Sequence, residues 1–191
     1  MAMSVAIPPM NPVLTGLTWQ EFVDHPTEFK QATLINGELF VNAAAPVHQQ
    51  IVTRLVTSLQ NWLSAADGRG EVTLEPPVQI TYDRGYMPDL AWWPQQRCAP
   101  PDQPPAFDGP PDLVVEVLSP STRRIDQIRK RSDYPRVGVR ELWLIDPDGP
   151  AALIIRTTDT GEEIIDINAD DELHSPLLNG FAVRLGDLTA R

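Results

Sequence analysis

The stretch from Pro111 to Pro147 constrains this chain more than any other. It begins with an apolar run, Leu113-Val114-Val115-Glu116-Val117-Leu118, which holds one carboxylate. A basic segment follows, closed by Gly138, and then Arg140 to Ile145 forms a second apolar run. A continuous apolar strand suits a position covered on both faces of a sheet. A carboxylate inside it is costly unless it is paired, protonated or bound to a cation. Fourteen residues after Glu116 comes Lys130, one of only two lysines in 191 residues. An acid in a strand and a lysine on the next helix point to metal-assisted phosphate chemistry. An arginine salt bridge to Glu116 is the structural alternative.

The order of elements around this stretch can be read from pattern. Thr18 and Glu21 have capping-box spacing and open a short helix that Pro26 stops. Residues 32 to 42 alternate about Asn36-Gly37, a hairpin signal. Pro46 to Ser64 carries Ile51, Leu55, Leu59 and Trp62 at helical spacing. Short strands are expected at 71–75, 78–82 and 87–93, with Asp83-Arg84-Gly85 as a turn. Six prolines between Arg97 and Pro111 make a connector. A helix capped by Ser121 or Thr122 runs to about Val137, and a hairpin is expected from 151–157 to 162–167. A last strand covers 181–185. The fold class is α/β (α+β), with a central mixed sheet flanked by helices and additional hairpins. Residues 1–17 are expected to be a flexible arm and 18–191 a single domain.

Composition bounds the function. No apolar run approaches the ~20 residues that span a bilayer, and the first residues, rich in proline and without Lys or Arg, do not read as a signal peptide. The single Cys98 reads as a structural thiol in a reducing compartment, so a cytoplasmic location is expected. The formal charge of −11 argues against nucleic-acid binding by the whole surface. Yet seven of the fifteen basic residues lie between Arg123 and Arg140. That stripe is either a solvated helix face or a local phosphate contact.

Asp89 is the second acid expected at the site. On alternation Asp89, Ala91 and Trp93 share one face, so Asp89 and Glu116 meet if their strands are neighbours. Asp112 lies ~13 Å along the strand from Glu116 and reads as a strand-start residue. Two carboxylates plus waters suit Mg²⁺ or Mn²⁺. Scattered His and one Cys give no zinc spacing. Arg123, Asp126, Lys130 and Tyr134 share a helix face, where Asp126 could hold Lys130 or form an ordinary surface pair with it. Glu38 is a third metal ligand or a hairpin residue. His48 touches substrate or, the favoured reading, acts locally at its helix start.

Several of these segments together carry a family resemblance: Gly37-Glu38-Leu39, the helix with His48, Pro88-Asp89-Leu90, the Pro111-to-Thr122 run, Asp126, Lys130, Tyr134, and Gly138 to Pro147. They resemble the Uma-two family of putative restriction endonucleases, in the PD-(D/E)XK nuclease superfamily. The resemblance runs from about residue 18 to the C-terminus. It implies a nuclease-type fold, metal-binding acids Asp89 and Glu116, and catalysis by Asp89, Glu116 and Lys130. The superfamily lysine normally follows the acid by two residues, where this chain has Leu118. Lys130 on the following helix takes its place. Arg123, Arg124 and Arg131 would position phosphate. The expected activity is metal-dependent endonucleolytic cleavage of nucleic acid, DNA in the first instance, by a homodimer. The competing function is a catalytically inactive nuclease-fold assembly module.

Overall fold

The computed structural model describes residues 12–24, 32–41, 45–100, 102–119, 126–149 and 151–190. In chain order its strands begin with β1 (Leu14–Thr15), β2 (Ala32–Ile35), β3 (Glu38–Val41), β4 (Glu71–Leu74), β5 (Val78–Thr81), β6 (Arg84–Tyr86) and β7 (Leu90–Trp93). They continue with β8 (Leu113–Val117), β9 (Glu141–Asp146), β10 (Ala151–Thr158), β11 (Gly161–Asn168), β12 (Glu172–His174) and β13 (Ala182–Arg184). The helices are α1 (Trp19–Asp24), α2 (Pro46–Ser64), α3 (Arg131–Val137) and α4 (Leu185–Thr189). A π-helical turn, Asp126–Lys130, leads into α3.

The central sheet has six strands in the order β11-β10-β9-β8-β7-β4. β8 and β9 run parallel, and every other pair in it is antiparallel. The parallel pair follows from the helical crossover between the two strands. A second sheet, β1-β3-β2-β6-β5, is antiparallel throughout. The mixed sheet flanked by helices is the expected fold class.

Local signals explain most of these elements. The Thr18 N–H donates to Glu21 Oε2 at 2.8 Å, and the Glu21 N–H donates back to Thr18 Oγ1 at 3.3 Å, closing the capping box of α1. Asn36 and Gly37 have φ of 52° and 75°, as a type I′ hairpin turn requires. Gly138 ends α3 at φ 104°. Of the expected N-terminal arm, Leu14 and Thr15 pair with Leu39 and Glu38 of β3.

Three expectations need correction. Arg84 and Gly85 do not turn the chain but lie in β6. A Cβ on Gly85 would lie 1.8 Å from Trp19 Cζ3, so the glycine admits the indole of α1 against the strand. Second, residues 172–174, for which the pattern gives no strand, form β12 and pair with β13. Third, Leu185–Thr189 is helical rather than the end of a strand.

Each face of the central sheet is covered. Ile51, Leu55, Leu59 and Trp62 of α2 pack against Leu113, Val115, Val117, Trp143 and Ile145. Each such side chain contributes roughly 1.5–3 kcal/mol through burial. On the opposite face Val114, Leu118 and Leu142 meet Tyr86, Tyr134, Ile35 and Phe40. β8 therefore feeds two cores by simple alternation, and Glu116 falls on the second face with Val114 and Leu118. No helix among the described residues is long and apolar enough to cross a membrane.

Candidate active site

Strand register brings the acids to the same end of the β7–β8 ladder. Leu90 pairs with Val115 and Ala91 with Val114 in the antiparallel β7–β8 ladder. Continued by one step, that register aligns Asp89, the residue before β7, with Glu116. Asp89 Oδ2 accepts the Val117 N–H at 2.7 Å, so the carboxylate continues the ladder where β7 begins. The same oxygen lies 3.1 Å from His48 Nε2. Pro46 starts α2 and sets His48 in its first turn, where it reaches the strand ends. The described side-chain partner of His48 is thus Asp89, forty-one positions away, rather than a group at its own helix start.

Glu116 is held from the helical side. Lys130 Nζ lies 2.8 Å from Glu116 Oε2, and the Tyr134 hydroxyl donates to Oε1 at 2.6 Å. The side chains of Lys130 and Glu116 are each only 5% exposed. Burying two charges carries a large desolvation cost, which close pairing and added hydrogen bonds offset. Among the described residues, the cation paired with Glu116 is this lysine. Arginine pairs serve Asp112 instead: Arg97 at 2.5 Å and Arg140 at 3.0 Å. Asp112 also lends its carbonyl to the Arg140 and Glu141 N–H groups, as a strand-start residue would.

A further polar group lies beside the ion pair, and the sequence reading missed it. The Tyr86 hydroxyl donates to Asp133 Oδ2 at 2.6 Å. Arg84 and Arg136 flank Asp133 at 3.3 and 3.4 Å. Lys130 Nζ sits 5.5 Å from the centre of the Tyr86 ring, within cation–π range. Burial, reinforced by the bond to Asp133, holds the Tyr86 phenol well above its ordinary range. Asp133 was legible in one respect: it lies three residues after Lys130, on the same helix face. Tyr86 gives no such signal, since it falls between the turn expected at Asp83-Arg84-Gly85 and the strand expected from Met87.

The remaining expected residues lie apart. Glu38 is exposed at the start of β3, across from Ile35 and Thr15. Arg131 pairs with Glu162 of β11 at 2.8 Å. Arg123 and Arg124 lie outside the described residues, as does the side chain of Asp126.

The donor set bears on a metal. No group of three or more His, Cys, Asp and Glu side chains suited to an ion occurs among the described residues. Asp89 and Glu116 offer two carboxylates, and both described bonds to the Asp89 carboxylate fall on Oδ2. An all-oxygen pair of this kind fits Mg²⁺ or Mn²⁺, which retain several waters. It does not fit zinc, which prefers nitrogen and sulfur.

Comparison with known proteins agrees with this architecture. The crystal structure of "a putative nuclease belonging to DUF820" from Anabaena variabilis superposes with a TM-score of 0.76 at 21% identity. The match covers 92% of this chain and 98% of that one, and shows a shared fold. No curated protein matches the chain. The family described as Uma2, putative restriction endonuclease, matches residues 19–189, which include Asp89, Glu116 and Lys130. The chain belongs to the Uma2 family.

Proposed function

We propose that the protein is a metal-dependent endonuclease that hydrolyses phosphodiester bonds of nucleic acid, with DNA as the first substrate to test. The observation that carries this reading is the buried Lys130–Glu116 pair, 2.8 Å apart, with Asp89 bonded to the N–H of the next residue, Val117. Family membership supports the nuclease class.

The reaction adds water across one P–O ester bond: a hydroxyl goes to phosphorus and a proton to the departing sugar oxygen. Mg²⁺ or Mn²⁺ held by Asp89 and Glu116 would supply a bound water of lowered pKa and a polarised phosphate. Asp89 is oriented for that task by His48 and the Val117 N–H. Glu116 is oriented by Tyr134. Lys130 presents an ammonium where charge develops on the phosphate oxygens, a stabilisation that is stronger in a site with little water. Arg123, Arg124 and Arg131 would contact phosphates of the substrate backbone, Arg131 after leaving Glu162. A homodimer would set two such sites on one duplex.

The test is cleavage of supercoiled plasmid, linear duplex, single-stranded DNA and RNA by the purified protein with Mn²⁺ or Mg²⁺. Nicking that disappears in Glu116→Gln and Lys130→Ala supports the reading. Absence of cleavage on every substrate, or variants that cut as well as the parent, sinks it.

A second reading has its own support. The near-complete burial of Glu116 and Lys130 and the net charge of −11 suit a nuclease fold kept as an inactive assembly module. Calorimetry separates the two. A folded protein that takes up neither Mn²⁺ nor Mg²⁺ favours the module.

A further inference from the structure

Asp133 is the least economical residue near the site. It is a carboxylate only 3% exposed, on a helix that could have used an apolar residue there. Two arginines and a tyrosine hydroxyl surround it. If packing were the only requirement, an apolar side chain at 133 and phenylalanine at 86 would serve as well or better. The position of this group matters more than its bulk.

Lys130, Asp133 and Tyr134 project from one face at the start of α3, three and four residues apart. Tyr134 grips Glu116 directly. Asp133 grips Tyr86, whose ring lies against the Lys130 ammonium. The two tyrosines also pack edge to face, with centroids 5.5 Å apart and planes at 67°. Lys130 therefore has a carboxylate on one side and an aromatic face on another. The ring itself is anchored at its far end. Arg84, which pairs with Asp133, also donates to Asn36 Oδ1 at 2.6 Å, in the turn of the β2–β3 hairpin. The second sheet reaches the candidate site through this chain of contacts.

A lysine needs such support. Its four-carbon stem is flexible and its head is a point charge without preferred direction. A π-helical turn carries it, a rare backbone form that recurs at functional sites. We infer that Tyr86 and Asp133 are positioning residues that hold the Lys130 ammonium against Glu116. Its catalytic consequence rests on the nuclease reading; its geometric content does not.

The experiment uses the full chain and two readouts. The protein has only two lysines, Lys30 and Lys130, so a Lys30→Arg background leaves one lysine side-chain NMR signal. In the folded parent, that signal carries a ring-current shift from Tyr86. Tyr86→Leu abolishes the shift and lowers kcat about ten-fold or more with KM unchanged, the size expected for a lost cation–π contact and lost orientation. Tyr86→Phe retains the ring but loses its anchor on Asp133, so both the shift and kcat fall between those of the parent and of Tyr86→Leu. Asp133→Asn, nearly the same shape, moves the lysine signal part of the way towards its solvent-exposed position, and serves if Tyr86→Leu does not fold. A folded Tyr86→Leu or Asp133→Asn protein with the parental lysine signal and kcat overturns the inference. If the parent cleaves nothing, the nuclease reading fails by itself, and the lysine signal still decides whether Tyr86 and Asp133 position Lys130.

Discussion

The two faces of β8 solve different problems with one strand. Leu113, Val115 and Val117 meet α2 in a core of Leu, Ile and Trp side chains. Val114, Glu116 and Leu118 face a mixed layer where Tyr86, Tyr134, Asp133 and Lys130 are also buried. The first face is stabilised by area alone and tolerates no polar atom without a partner. The second spends part of its burial on charge, which adds little net stability but holds groups in fixed positions. Adjacent residues of the same strand thus separate folding from proposed chemistry, because successive side chains point to opposite sides.

That contrast can be broken from either side. Glu116→Gln or Lys130→Ala lowers cleavage about 10²–10³-fold, as expected when one charge-stabilising group is lost. Initial rates per folded molecule measure it, since Lys130→Ala also leaves a buried carboxylate without its ammonium. On the α2 face, Leu59→Ala lowers unfolding free energy by about 3 kcal/mol and leaves the rate per folded molecule unchanged. Urea denaturation and kinetics on the same samples check both halves. A rate loss there would mean that the faces are coupled.

Replacing the ion pair sharpens the comparison. Glu116→Leu with Lys130→Met removes both charges at nearly constant volume. The double variant has stability within about 2 kcal/mol of the parent or above it, with cleavage abolished. A strongly destabilised double variant would show that the pair is structural.

Alkaline pH reports on Tyr86. Its pKa is raised in the folded state above the ordinary value of 10.0, by burial first and then by Asp133. The stability that goes with the neutral phenol is complete below pH 10 and is lost as pH rises, because only the unfolded chain readily gives up that proton. The slope reaches at most about 1.4 kcal/mol per pH unit. Tyr86→Phe lacks this contribution, and thermal melts from pH 9 to 11 resolve it. The smallest effect belongs to the surface. Arg131→Ala breaks a pair that is one-third exposed on each side, and changes stability by less than about 1 kcal/mol. Any larger effect on cleavage than on stability would be read as a rise in KM and a contact with substrate.

Much of this arrangement was legible before any coordinates. α2 spans the stretch from Pro46 to Ser64 that its spacing marks out, because a nineteen-residue amphipathic pattern leaves little ambiguity. The Asn36-Gly37 turn forms as read, since few residue pairs adopt its backbone angles. β7 is the neighbour of β8, the condition that the alternation argument set for Asp89 and Glu116, and Asp89 Oδ2 reaches the Val117 N–H next to Glu116. Other features were not legible. Gly85 resembles a turn glycine in sequence, and only the Trp19 ring lying against it makes it a strand residue. Asp112 and Glu116 are told apart in sequence by position along the strand, but their partners are not legible there. They differ in what lies across from them: two arginines in one case, a lysine and a tyrosine in the other.

The sequence by itself determined the strand that carries the acid, the helix that carries the lysine, and the faces on which their side chains fall. Those are short-range properties, set by backbone sterics and hydrophobic period over a few residues. The tertiary structure decided the partners. His48 reaches Asp89 across forty-one positions, and Tyr86 reaches Asp133 across forty-seven. Such contacts depend on how layers pack, and no local pattern encodes them. Buried charges have no water to turn to, so their partners must come from wherever the fold brings them.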